Sequence, residues 1–222
     1  MDLATCQRKL LSLFRGTHAP DAADEEYVQR VVLSKHLAEG RRNIFLWRVY
    51  VLERTCPLTV NLLRNGNLLG NTVNSFIARH NISPFRETQA PAFLEELKAH
   101  DDRLVASVAQ FELALMKVRN GDCRSYVVFW DIDPHPVLKS LALNVPVDSE
   151  IPRGCYEIRI SHEIPGHFVI LLSRPIVARL QAKPSRMMPL ATSTNRAARN
   201  LQRLLEFRHE PHEHHRDFHA NL

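Results

Sequence analysis

Residues 101–130 read DDRLVASVAQFELALMKVRNGDCRSYVVFW, and the character of the chain changes within them. Leu104, Val108, Phe111, Leu115 and Val118 step by four, three, four and three, the spacing that lines one face of an α-helix. Asp101 or Asp102 can accept hydrogen bonds from the first-turn amides, and Asn120-Gly121-Asp122 closes the period. Residues 125–130 are then almost continuously apolar and rich in β-formers, which suits a buried strand. The hand-over near Gly121 divides the chain into a helical part and a mixed part.

Towards the N-terminus the helical period persists. Leu3, Cys6, Leu10, Leu13 and Phe14 form a stripe that Gly16 can close. A second segment, about 23–38, carries Val28, Val31 and Val32 and is expected to stop near Gly40. Asn43 is a plausible N-cap for residues 44–55, where Trp47, Tyr50 and Val51 supply apolar bulk. Pro57 suits the first turn of the next helix and Gly66 its end. Leu69, Val73, Phe76 and Ile77 mark a further helix to about His80. Proline disfavours the helical region for its predecessor, so Ser83, before Pro84, is expected to be extended or turn-like. Pro91 fits the start of a helix running through His100.

Beyond Gly121 the period shortens. Tyr156, Ile158 and Ile160 alternate with Glu157, Arg159 and Ser161, as in a strand with one buried face. Pro165-Gly166 makes a turn, and residues 167–172 return as a second apolar strand. Ala197, Leu201, Leu204 and Leu205 place a last helix over about 194–207. The expected fold is α+β: an N-terminal helical bundle over 1–121, then a small domain over 122–207 with a short antiparallel sheet and a final helix. A His-rich tail, 208–222, follows and is expected to be disordered.

Composition narrows the function classes. An apolar content of 45% and a charged content of 24% are ordinary for a soluble globular protein, and 222 residues can bury a substantial core. A net charge of +5 and a pI near 9.2 leave nucleic acid or an acidic peptide open as partners. Cys6, Cys56, Cys123 and Cys155 are widely spaced with no C-x-x-C pair, which favours isolated buried thiols over a zinc site or disulfide framework. Asp2, Arg8 and Lys9 interrupt the first sixteen residues, unlike a signal peptide, and no apolar run is long enough to span a bilayer. The expected location is the cytoplasm.

Three clusters invite chemical readings. Asp131 and Asp133 follow the apolar run 127–130 as a D-x-D, similar to the opening of haloacid-dehalogenase phosphotransferases, where magnesium sits between two carboxylates. That motif opens a large parallel α/β domain; here only about ninety residues follow, and Pro134 stands where glycine is expected. A strand end entering an Asp-Pro turn accounts for it better. His162-Glu163 with His167 is one residue too long for H-E-x-x-H, and Pro165-Gly166 would break the helix that motif needs. His209, His212, His214, His215 and His219 have metal-binding composition in what reads as a solvated tail. Nucleophile elbows, phosphate-cradling glycine loops and dinucleotide fingerprints are missing, with seven glycines in all. No activity is expected of the chain alone.

The helical half carries a resemblance. Asn43-Ile44-Phe45-Leu46-Trp47-Arg48-Val49-Tyr50, Thr55-Cys56-Pro57, Phe76, Ser83-Pro84-Phe85, Phe93-Leu94 and Phe111-Glu112 resemble a family of partner subunits. Its members accompany multinuclear non-haem iron oxygenases that modify ribosomally made peptides, and the methanobactin-biosynthesis branch is the nearest in pattern. Trp130-Asp131, Asp133-Pro134, Val137-Leu138, Pro165-Gly166 and Phe168 look like the same family's second domain. The resemblance spans most of 40–205. It implies a tight heterodimer with an iron-binding, MbnB-type oxygenase subunit, with iron on that subunit and no cofactor on this chain. It also implies binding of the leader of an MbnA-type precursor peptide, whose core cysteines are oxidised with dioxygen to oxazolone and thioamide groups that later chelate copper.

A small sheet can accept an extended peptide as an added strand. The candidates for that contact are Tyr156, Ile158, Arg159 and Ile160 on the alternating strand, with Phe168, Val169, Ile170 and Arg174 on its hairpin mate; Arg159 and Arg174 can pair with acidic leader residues. The helical half is then left to dock on the oxygenase. The alternative reading is a winged-helix-like nucleic-acid-binding module, with Arg41-Arg42 and Arg196, Arg199, Arg203 and Arg208 as its basic residues. A third is the magnesium phosphotransferase suggested by Asp131 and Asp133.

Overall fold

α1 (Leu3–Arg15) starts where the Asp2 carboxylate accepts the Thr5 N–H and stops at Gly16, whose φ of 73° lies in the left-handed region. It leads off a computed structural model that describes residues 2–17, 21, 24, 26–80, 82 and 85–172. The Ser83-Pro84 turn, Arg174, the helix over 194–207 and the histidine tail lie outside the described residues.

α2 (Glu26–Leu33) is followed at once by α3 (Lys35–Thr55), which Ser34 caps through the His36 N–H. This corrects two expectations. Gly40 does not stop a helix and Asn43 does not start one; both lie inside the 21-residue α3. A Cβ on Gly40 would sit 2.5 Å from Cε1 of Phe14, so the glycine is where α1 lays its aromatic ring against α3. Close approach has set the residue, at a helix-propensity cost of about 1 kcal/mol.

α4 (Pro57–Asn65) and α5 (Leu69–Arg79) follow the expected signals, with Pro57 in the first turn and Gly66 after the last. α6 (Arg86–Leu97) begins earlier than expected and carries Pro91 in its interior. The carbonyl of Phe85 already accepts the Thr88 and Gln89 amides, so the first turn precedes the proline. α7 (Arg103–Arg119) is capped by Asp102 and ended at Gly121, with φ of 93°.

β1 (Tyr126–Ile132), β2 (Arg153–Ile160) and β3 (Phe168–Leu172) form one antiparallel sheet in the order β1-β2-β3. Between β1 and β2 lies α8 (Pro134–Ala142), where only a turn was expected. Asp133 accepts the His135 N–H at 2.9 Å, so the Asp-Pro pair is the N-cap and first position of a helix. Its Val137, Leu138 and Leu141 are buried. The described residues are thus mostly helical, with eight helices, and the helical run precedes a three-stranded antiparallel sheet: an α+β fold.

α7 is buried on two faces. Val105, Ala109 and Leu113 join Leu52, Phe76, Phe93 and Leu94 of the helical core. Val108, Phe111, Leu115 and Val118, the stripe visible in the sequence, join Val128, Trp130, Leu138, Ile158 and Ile160 under the sheet. Phe111 meets Phe168 edge to face at 5.3 Å, a geometry that aromatic quadrupoles favour. The change of secondary structure at Gly121 is therefore not a break in the packing. Each fully buried Phe or Leu here removes roughly 1.5–3 kcal/mol of unfavourable hydration. All four cysteines are free, but only Cys56 is fully buried; Cys123 and Cys155 are exposed, which corrects their reading as buried thiols. No described helix is long and apolar enough to cross a membrane.

Candidate functional site

The alternating strand behaves as its period requires on side chains, but not on position. β2 is the central strand, paired with β1 from Tyr126↔Ile160 to Ile132↔Arg153 and with β3 from Ile160↔Phe168 to Tyr156↔Leu172. A strand bonded on both sides has no edge to offer; among the described residues the outer edges of the sheet are those of β1 and β3. Ile158, Ile160 and Phe168 are core residues, and Tyr156 and Ile170 pack against the same core. Arg159 lies on the opposite, solvent face and donates to Glu157 at 2.5 Å; Val169, its cross-strand partner, is part-exposed. Of the expected contact residues in the described chain, Arg159 and Val169 are the two placed on that outer face.

The register groups further residues there that the sequence reading had not singled out. Val127↔Arg159↔Val169 and Phe129↔Glu157↔Leu171 run across the sheet in two rows. Phe129 is 65% exposed and Val127 48%. The β1 sequence alone could not show this, because an almost continuous apolar run reads as buried on both faces.

α3 presents a second surface. Leu46, Trp47 and Tyr50 are each about half exposed, the Trp47 and Tyr50 rings lie 5.7 Å apart, and the Arg54 guanidinium stands over Tyr50 at 5.6 Å. The opposite side of α3 is fixed. Arg48 donates to the Gln89 side chain at 2.9 Å and to the Ile82 carbonyl at 2.6 Å, while Gln89 returns a bond to the Arg48 carbonyl at 2.8 Å. Burial pulls the Arg48 guanidinium pKa down from its ordinary value, and the nearby Arg15 adds to the shift. The aromatic face thus rides on a helix held by part-buried hydrogen bonds, although the Phe45, Arg48 and Val49 face and the Trp47, Tyr50 face belong to one run of sequence.

The chemical readings resolve into structural roles. Asp133 is a helix cap, and Asp131 is exposed beside a β-bulge at the end of β1, on an edge of an antiparallel sheet. His162, Glu163 and His167 lie in the β2–β3 connection, with the two imidazoles 5.9 Å apart and φ of 69° at His167. Among the described residues no three His, Cys, Asp or Glu side chains converge on one point. The helix before the hairpin, α8, buries Pro134, Val137, Leu138, Leu141 and Ala142 and carries His135 and Lys139 as its basic side chains. Arg196, Arg199, Arg203 and Arg208 lie outside the described residues.

One functional-looking group was missed. Glu112, 6% exposed in α7, accepts the Leu58 N–H at Oε1 and the Thr59 N–H at Oε2, both at 2.9 Å. Burial raises its pKa to about 7, against the pull of the two amide bonds. In turn the buried Cys56 thiol is pushed well above its usual range, chiefly by desolvation and then by Glu112. A carboxylate titrating near neutrality is a catalytic signature when it lines a cleft; here it is enclosed by α4 and serves as that helix's cap. Neither a protein-family model nor a curated protein sequence matches the chain.

Proposed function

We propose that this chain is the non-catalytic, MbnC-like partner subunit of a heterodimeric, iron-dependent peptide-modifying oxygenase. In this reading α3 docks on an MbnB-like subunit that holds the iron, and the small sheet binds the leader of an MbnA-like precursor peptide. The partner then oxidises core cysteines with dioxygen to the oxazolone and thioamide groups of a methanobactin, a copper chelator, in the cytoplasm. The described residues are assigned no iron ligand and no step of the oxidation.

The observation that carries the reading is the α3 aromatic face. It lies inside Asn43-Ile44-Phe45-Leu46-Trp47-Arg48-Val49-Tyr50, the segment that bears the resemblance, and Leu46, Trp47 and Tyr50 are exposed there. Trp, Tyr and Arg are the residue types that dominate binding energy at protein interfaces. A second copy of the chain is a poor occupant, since both copies are basic at +5 and would bring Arg54 towards its own equivalent.

The test is co-expression with an MbnB-type iron-binding subunit, followed by gel filtration in about 0.5 M salt, where exposed charge attraction is largely screened. Co-elution, lost in the Trp47→Ala, Tyr50→Ala double variant, is the expected result. Separate elution of the wild-type chains would refute the proposal. Steep salt-dependent retention on duplex DNA would instead favour the nucleic-acid reading.

A further inference from the structure

β1 borders an open cleft. Its free side runs alongside α7, and between them is a space of about 170 Å³ lined by Lys98, Gln110, Leu113, Lys117, Tyr126 and Val128, among others. Typical small-molecule sites enclose roughly 300–1,000 Å³, so a nucleotide or cofactor is too large for this one, whereas a single amino-acid side chain fits. Among the described residues the backbone of β1 is hydrogen-bonded to another strand on one side only, through β2. An edge of this kind presents unpaired N–H and C=O groups.

The charges at the mouth select the side chain. Lys98 Nζ lies 2.6 Å from one oxygen of Glu95, and Lys117 Nζ lies 3.9 Å from the other. The two ammonium groups therefore already converge on one carboxylate, which is itself half exposed. The neighbouring acid, Asp122, is occupied by Arg124 and by the Tyr126 hydroxyl, at 2.6 Å each, so the local balance at the cleft is one net positive charge. Tyr126 and Val128, two residues apart on the inward face of β1, form the sheet side of the cleft together with Val127 between them. Val127 and Phe129 face outward beside them.

We infer that the free edge of β1 binds an extended peptide whose inward-facing acidic side chain enters the cleft between Lys98 and Lys117. The backbone of the peptide adds to the sheet, and the pocket reads one position in two. The incoming carboxylate takes over contacts that Glu95 makes in the free chain, and the peptide's outward residues extend the apolar row of Val127 and Phe129. This deepens the proposed function, since it names the sequence feature required of the peptide and moves its contact from the β2–β3 hairpin to β1.

The probe is a blocked hexapeptide, acetyl-Thr-Val-Glu-Val-Thr-Lys-amide, with counterparts carrying Gln or Lys in place of Glu. Each is titrated into the full chain labelled with nitrogen-15. The Glu peptide is expected to shift the amides of Tyr126, Val127 and Val128 and to bind about five-fold more tightly than the Gln peptide, the upper range for a part-exposed ion pair. Lys117→Glu is expected to reverse the preference towards the Lys peptide. Glu95→Gln, at an exposed position that leaves the fold intact, is expected to strengthen binding of the Glu peptide a few-fold by freeing both lysines. Equal affinity for the three peptides, shifts confined to Phe168–Leu172, or no binding at millimolar peptide would each overturn the inference. So would equally tight binding of a Gln peptide with a free C-terminus, which would assign the cleft to a chain end. Heterodimer formation with the oxygenase is measured separately, so this inference can fail while the proposed function stands.

Discussion

Glu112 makes the strongest demand on the fold, and its removal has a calculable cost. Leu58 and Thr59 are the second and third residues of α4, where an N-cap side chain normally accepts a bond. Cys56 stands at the cap and supplies none. Glu112 supplies both from α7, more than fifty residues away, to the amides of residues that are 2% and 0% exposed. Glu112→Ala strands two buried donors and is expected to cost about 3–5 kcal/mol, as for other broken buried charge-dipole contacts. Glu112→Gln keeps the shape and can accept from only one of the two amides, a penalty that does not change with pH, so the pH dependence isolates the charge. The carboxyl pKa rises from an ordinary 4.5 to about 7 in the folded chain. Between those values the folded state holds a proton that the unfolded state has released, so this group's contribution to stability is present below pH 4.5 and lost as pH rises through 7. At about 1.4 kcal/mol per pH unit, the wild type loses roughly 2–3 kcal/mol from this source between pH 5 and pH 8. The Gln variant does not. Urea denaturation of both chains at unit steps of pH is the assay, because every other titrating group cancels in the difference. The stability of the Gln variant relative to wild type should rise by that 2–3 kcal/mol. A difference that stays flat over the range would show that Glu112 does not titrate there, and the reasoning from burial would be wrong.

Other outcomes follow from single contacts. Gly40→Ala should lower stability by about 1 kcal/mol despite the better helix propensity, with Phe14→Leu restoring most of it; a higher melting temperature for the single variant would mean that α1 yields freely. Asp102→Ala removes acceptors for the Leu104 and Val105 amides and should cost about 1 kcal/mol in urea denaturation. An alkylating reagent at neutral pH should label Cys123 and Cys155 in the native chain and reach Cys56 only on unfolding; peptide mapping that finds Cys56 labelled early would contradict its burial.

Local signals carried the fold where the cause is local. Asp102, Gly121, Pro57 and the alternation of Tyr156, Ile158 and Ile160 all act within a turn or a pleat, and each was legible. Gly40 was misread because its reason is a ring from another helix, and propensity has no access to that. Pro91 was misread because the start of α6 is set by the Phe85 carbonyl upstream of it. The signal for α8 was present, as Asp-Pro followed by Val137, Leu138 and Leu141, but Asp-Pro opens a turn as readily as a helix, and a turn was expected. Strand order was out of reach, since alternation reports which face a residue takes and not which neighbours its strand has. Glu112 gave no warning, as one acid among apolar helix residues looks like an exposed position until the α4 amides are seen above it.

α7 connects the two surfaces proposed to bind partners. Through Val105, Ala109 and Leu113 it supports the helical core that also holds Leu52 of α3 and Phe93 and Leu94 of α6; through Phe111, Leu115 and Val118 it supports the sheet. Gln110 and Lys117 of the same helix line the β1 cleft, and Glu112 fixes α4 against it. Packed interiors transmit displacement because they hold few voids. A shift of α3 under a docked partner would therefore reach the cleft through α6 and α7, not through a flexible joint. Arg48→Met tests this route, since it removes the guanidinium bonds to Gln89 of α6 and to Ile82 just before that helix, keeps the Gln89 bond to the residue-48 carbonyl, and leaves Trp47 and Tyr50 in place. The Glu peptide should still bind the free Arg48→Met chain at wild-type affinity, while any effect of the docked partner on that affinity should shrink. If the partner's effect is the same in both chains, the coupling runs by another path.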